Sequence, residues 1–311
     1  MALALAQDPD NPEKLAEAAE LYLNRLPASH VHSEIGLLYA RRGAEKLMRR
    51  STATAATPAK AAPKAAKSGP KVAKSDRQLL ARLALLESQA LLDLGRAREA
   101  LRHLDDAQRW DPGADTAADI RYERAVALFE LCQLTDARSA FESWLTRYPS
   151  DQQAAWAHHH LGLALEMLGE TVRAERELAE ARRLQPEHFA APMTVSADEF
   201  RAMVDAEART LSPEQISDLK LVALETVDLP NLRDLTLEEP ALSPTILGLF
   251  RGLPLGEEPS EPRTIVLYRK NLLRAVRSRE ELQREIRTTL LHELGQLRGA
   301  DDDDLRERGL E

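Results

Sequence analysis

The feature that most constrains this chain is a phase of 37 residues running through its middle. Ala100, Ala137 and Ala174 stand 37 apart, as do Leu104, Phe141 and Leu178. Pro112, Pro149 and Pro186 keep the same step, and so do Leu91, Leu128 and Leu165, and Gly95, Cys132 and Gly169. Five columns in phase over three copies predict one supersecondary unit stacked on itself. The columns have physical roles. Small residues (Ser88, Ala125, Gly162) fall midway along a first helix, where a second must approach closely. Gly95 and Gly169 fall at the turn between the helices, where a positive φ is useful. The alanine five residues later lets the second helix pack on the first. A proline then ends the second helix, because it cannot continue the hydrogen-bond ladder.

This pattern resembles the tetratricopeptide (TPR) repeat, with LGLALEMLGETVRAERELAEARRLQP (161–186) as the best copy. The resemblance implies an α-solenoid over 76–190 whose concave face binds a protein or peptide. The extra three residues over the usual period are expected in the loop between repeats. Residues 1–50 read as a degenerate copy. EKLAEAAELYLNRLP (13–27) has the form of a second helix closed by Pro27, and EIGLLYARRG (34–43) that of a first helix. Between them and the array, residues 51–75 hold five lysines, no acid and no large apolar side chain except Val72. Such a stretch cannot repay the entropy of ordering, so a disordered Ala/Pro/Lys-rich linker is expected there.

Composition agrees with packed helices. The apolar fraction is 43%, but aromatics supply only 4%; Ala and Leu carry the core. The single cysteine, Cys132, excludes a disulfide framework, and its place in a helical pattern suits a small buried hydrophobe. The net charge of −9 argues against a general nucleic-acid binder. No apolar run is long enough to span a membrane, and the opening MALALAQDPD lacks a basic n-region. A cytoplasmic protein is therefore expected. His158, His159 and His160 are consecutive, so on a helix they point about 100° apart and do not converge on one ion.

After Pro192 the period is lost, and a second domain is expected over 191–311. Ser196 with Glu199 three residues on marks a helix start. LKLVALETV (219–227) and TIVLY (264–268) have strand character. Between them lies ILGLFRGLPL (246–255). Ser278 and Glu281 form a candidate capping box that opens a long helix ending at Gly299. On that helix Leu282, Ile286, Leu290, Leu294 and Leu297 form an apolar stripe. An acidic tail, Asp301 to Asp304, follows.

This order of segments resembles a small family of bacterial zincin-like metallopeptidases. The resemblance rests on Leu247-Gly248-Leu249-Phe250 with Gly252, on Ile265 to Arg269, and on His292-Glu293-Leu294-Gly295-Gln296-Leu297-Arg298-Gly299 followed by Asp302. In a HExxH helix, two histidines at i and i+4 grip zinc and the glutamate acts as general base on the bound water. The resemblance implies His292 as first ligand, Glu293 as base and Asp302 as third ligand, with Asp301, Asp303 and Asp304 competing for that place. The departure is Gln296, which stands where the second histidine belongs. Its neutral amide is a poor zinc donor, so zinc is expected to bind weakly or not at all.

The expected architecture is mainly α: a TPR-like α-solenoid followed by a small α+β zincin-like domain. The expected function is a TPR interaction module carrying a weak or inactive metallopeptidase-like domain, that is, a pseudoenzyme. An active zinc peptidase aimed at its substrate by the repeats, and a pure TPR scaffold, are the alternatives.

Overall fold

The computed structural model describes residues 8–56, 72–110, 112–191, 193–237, 239–258 and 262–310, without the side chains of 52–56, 302, 303 and 307. The chain divides into two compact units, Met1–Leu184 and Gln185–Glu311. The first is a helical region and the second a small α+β domain. Among the described residues, no helix is long and apolar enough to cross a membrane.

The first unit is a run of antiparallel helices: α1 (Pro12–Asn24), α2 (His30–Ala56), α3 (Lys74–Asp93), α4 (Ala97–Arg109), α5 (Ala114–Glu130), α6 (Leu134–Arg147), α7 (Ala154–Met167) and α8 (Thr171–Leu184). Three hairpins, α3–α4, α5–α6 and α7–α8, turn in the same way. Their pivots, Gly95, Cys132 and Gly169, have φ of 70°, 57° and 80°. The next residue's N–H reaches back to the helix in each: Arg96 to Leu91 O (2.7 Å), Gln133 to Leu128 O (2.9 Å) and Glu170 to Leu165 O (2.8 Å). That is the Schellman closure, in which a left-handed residue satisfies the last carbonyls of a helix. Packing follows the small-residue columns. Ala100, Ala137 and Ala174 are at most 1% exposed. A Cβ on Gly162 would lie 2.7 Å from Leu178 Cγ, so only glycine lets α8 come this close.

Two expectations are corrected here. The helices α3, α5 and α7 pack directly on one another, and α1 packs on α3 in the same way. So α1 is the first member of its pair and α2 the second, the reverse of the sequence reading. The reason is that a small residue serves either member: Gly36 on α2 makes room for Leu23 of α1, whose Cγ would be 2.6 Å from a Cβ there. In the expected linker, α2 runs on to Ala56 and α3 opens at Lys74. Residues 51–56 and 74–75 are therefore helical; half of 51–56 is the strongest helix former, alanine. The remainder of that expectation, at 57–71, lies outside the described residues.

The second unit holds α9 (Ala197–Arg209), α10 (Pro213–Leu219), β1 (Ala223–Val227), α11 (Leu232–Leu235), β2 (Gly248–Arg251), β3 (Thr264–Tyr268), α12 (Arg269–Ala275), α13 (Arg279–Leu297) and α14 (Asp302–Glu307). Ser196 caps α9 by accepting from Glu199 N–H (3.2 Å). The sheet order is β1-β3-β2. β1 runs parallel to β3 (Ala223 opposite Thr264) and β2 antiparallel (Leu249 opposite Val266). The central β3 is buried at every position, as its unbroken apolar run requires. One segment differs from expectation. Residues 219–222 end α10 and turn, so β1 is shorter than the 219–227 reading. Part of the ILGLFRGLPL stretch forms the edge strand β2. One core joins sheet and helices, with Phe200, Ile265, Leu267 and Leu272 against Leu282, Ile286, Leu290, Leu294 and Leu297 of α13.

Candidate metal centre

The register of α13 is set at both ends and along one side. Its N-terminus carries the full capping box: Glu281 N–H donates to Ser278 Oγ (3.1 Å) and Ser278 N–H to Glu281 Oε2 (3.2 Å). Its apolar stripe is buried, Leu294 being the most exposed at 3%. Gly299, with φ 83°, ends it by another Schellman turn, Ala300 N–H donating to Gly295 O (3.0 Å). This fixes where the polar residues of the motif point.

His292 and Gln296, four apart, share one face. The Gln296 Nε2 lies 3.2 Å from His292 Nε2. On the other side of the ring, Nδ1 lies 2.6 Å from the carbonyl oxygen of Leu310. A carbonyl only accepts, so Nδ1 carries the proton and donates. Nε2 of the neutral ring then holds the lone pair, and the glutamine amide donates to it. The atom that would face a zinc ion is thus satisfied by a neighbouring side chain.

The tail that supplies Leu310 is folded onto α13. Asp301 caps α14 by accepting from Asp304 N–H (2.9 Å). Leu305, fully buried, sits over Gly295 so closely that a Cβ there would collide with it. Leu310 N–H donates to Leu305 O (3.0 Å), which turns the Leu310 carbonyl toward the imidazole.

Glu293, next along the helix, points about 100° away from His292. It is 4% exposed. Its carboxylate fills the space left by Gly248 of β2, where a Cβ would lie 2.8 Å from Oε1. Beyond it stand Tyr268, fully buried, and the pair Arg251–Asp234, 2.5 Å apart. Burial pushes the Tyr268 phenol well above its ordinary range. The sequence reading missed Asp234, Arg251 and Tyr268 because they come from three separate elements with no shared spacing. Only the strand reading of TIVLY (264–268) pointed toward Tyr268.

Of the four expected site residues, then, the structure brings His292 and Gln296 together. It turns Glu293 into the sheet, and it starts α14 at Asp302, whose side chain lies outside the described residues. Among the described residues, no group of three His, Cys, Asp or Glu side chains is placed to hold a metal ion. Among the described residues, one imidazole whose Nε2 meets an amide falls short of the three protein donors that a zinc centre takes. The histidine run on α7 also disperses: His158 Nδ1 meets Glu177 Oε2 at 2.6 Å, whereas His160 Nδ1 donates to Trp156 O at 2.9 Å.

Compared with known families, residues 219–310 match the zincin-like metallopeptidases. A domain of that type therefore follows the mostly helical N-terminal region. No curated protein matches the chain.

Proposed function

We propose that this chain is a protein-interaction protein in which a TPR-like helical array carries a zincin-derived domain with little or no peptidase activity. One observation carries the reading: the Gln296 amide donates to His292 Nε2 at 3.2 Å, at the position where a second imidazole and a metal would otherwise meet. A glutamine amide is neutral and weak on zinc, and the only other histidine after residue 184 is His188, far from the motif in sequence. The buried placement of Glu293 supports the same view, since a general base must reach the water that it activates. The first unit has the character of a docking surface. It is built of stacked helix pairs that bring no chemistry of their own.

The test is zinc titration by calorimetry at neutral pH on wild type and Gln296→His. Wild type should bind weakly, and the variant on the order of 100-fold more tightly, because a second imidazole is restored one turn from His292. Tight zinc binding by wild type, together with zinc-dependent cleavage of a casein substrate, would overturn the proposal in favour of a working peptidase.

A further inference from the structure

Between α2, α3 and α4 the helical unit leaves a cleft of about 500 Å³. Its walls are apolar, with Ala44 and Met48 from α2, Leu80 and Ala84 from α3, and Trp110 at the end of α4. Met48 is 41% exposed, so part of this apolar surface lies open to water. At the floor stands a carboxylate, Glu87, only 6% exposed.

Glu87 is poorly compensated. The Arg41 Nε lies 3.7 Å away, beyond hydrogen-bond length. The His103 Nδ1 is 3.2 Å from Oε2, but burial lowers that imidazole's pKa and so disfavours its charged form. Asp106 on α4 adds a second negative charge nearby, itself paired with Arg109 at the rim (2.6 Å). Burial, aided by Asp106 and opposed by Arg41, pushes Glu87 up to about 7. A buried charge whose nearest arginine stands 3.7 Å away is costly, and an incoming cation relieves that cost. An anion would meet Glu87 and Asp106 together. A long basic side chain matches both parts of the cleft, its methylenes on the apolar walls and its head on the acid.

We infer that this cleft docks a lysine or arginine side chain presented by a segment of a partner protein, with its stem against Met48, Leu80 and Trp110 and its charge on Glu87. The inference rests on reading the helical unit as an interaction surface.

The experiment titrates the full chain by calorimetry with a capped pentapeptide, Ala-Leu-Lys-Leu-Ala, and with its norleucine analogue, which keeps the stem and loses the charge. At pH 8 the lysine peptide should bind about tenfold more tightly than the analogue. Glu87→Gln should erase that difference. Affinity should rise with pH through about 7, as Glu87 loses its proton; the other titratable groups facing it are Arg41, His103 and Asp106. Ala44→Met, which fills the cleft without touching the acid, should abolish binding of both peptides. Equal affinity for the two peptides, lysine binding that survives Glu87→Gln or Ala44→Met, or no binding of either at millimolar concentration overturns the inference. Zinc titration reports on the other unit, so either reading can fall alone.

Discussion

Cys132 holds the same left-handed backbone as Gly95 one period earlier, with φ of 57° against 70°. A non-glycine residue in that region costs roughly 1 kcal/mol, yet the turn keeps its shape because the two helix ends it joins over-determine it. At Gly169 nothing lies within 4 Å of where a Cβ would sit. Gly169→Ala should therefore cost about 1 kcal/mol through the backbone alone. Cys132→Gly should change stability by less than about 1 kcal/mol, since relief of strain is offset by lost burial and a looser unfolded chain. Urea melts of the two variants decide it. A large loss in Cys132→Gly would show that the thiol's packing, not the turn, governs the site.

Ala137 is fully buried where α6 meets its neighbours. Ala137→Arg forces a long cation into a position without room or partner, so a loss above about 3 kcal/mol is expected. Circular dichroism melts read it directly. A variant that melts like wild type would mean that the small-residue column does not set the helix spacing.

Glu123 is 9% exposed, and burial pushes its carboxyl up to about 7 from an ordinary 4.5, against the opposing pull of the Gln89 hydrogen bond. A raised acid contributes stability that is present below about 4.5 and lost as the pH rises through about 7. Glu123→Gln removes that penalty and keeps the bond from Gln89 Nε2 (2.9 Å). It also offers a donor to Gln89 Oε1, which has no hydrogen-bond partner among the described residues. The variant should be more stable than wild type by about 2 kcal/mol at pH 8, under a ceiling of order 3 kcal/mol, and nearly equal at pH 4. Chemical denaturation at the two pH values checks the crossover.

Gly295 and Leu305 lock α14 onto α13. Gly295→Ala places a methyl group where Leu305 already sits, so α14 should detach at a cost of about 2 kcal/mol. The Leu310 carbonyl would then leave His292. Amide exchange over 301–310 should quicken many-fold, and the His292 Nδ1 proton signal should shift. Unchanged exchange would mean that α14 is held elsewhere.

The repeat was legible because its columns answer physical demands that few residues meet: a positive φ at 95, 132 and 169, and close approach at 100, 137 and 174. The direction of the α1–α2 pair was not, since Gly36 relieves crowding from either partner. Likewise the long helix of the second unit could be read from Ser278, Glu281 and its leucine stripe, which are local signals. The surroundings of Glu293 could not. Gly248 comes beside it through strand pairing, and Tyr268, Arg251 and Asp234 gather there from two strands and a short helix; no spacing along the chain encodes that.

The two units also differ in when they can form. In the helical unit each element packs mainly on its immediate neighbours in the chain, so it can assemble pair by pair as it leaves the ribosome. In the second unit β1 waits for β3, with Ala223 opposite Thr264. Asp218 finds Arg298 (2.6 Å) only after 80 further residues. Such non-local closure delays folding. A nascent chain stalled before α13 therefore carries a finished helical array and an unfolded remainder, and in that interval only the array is protected from proteases.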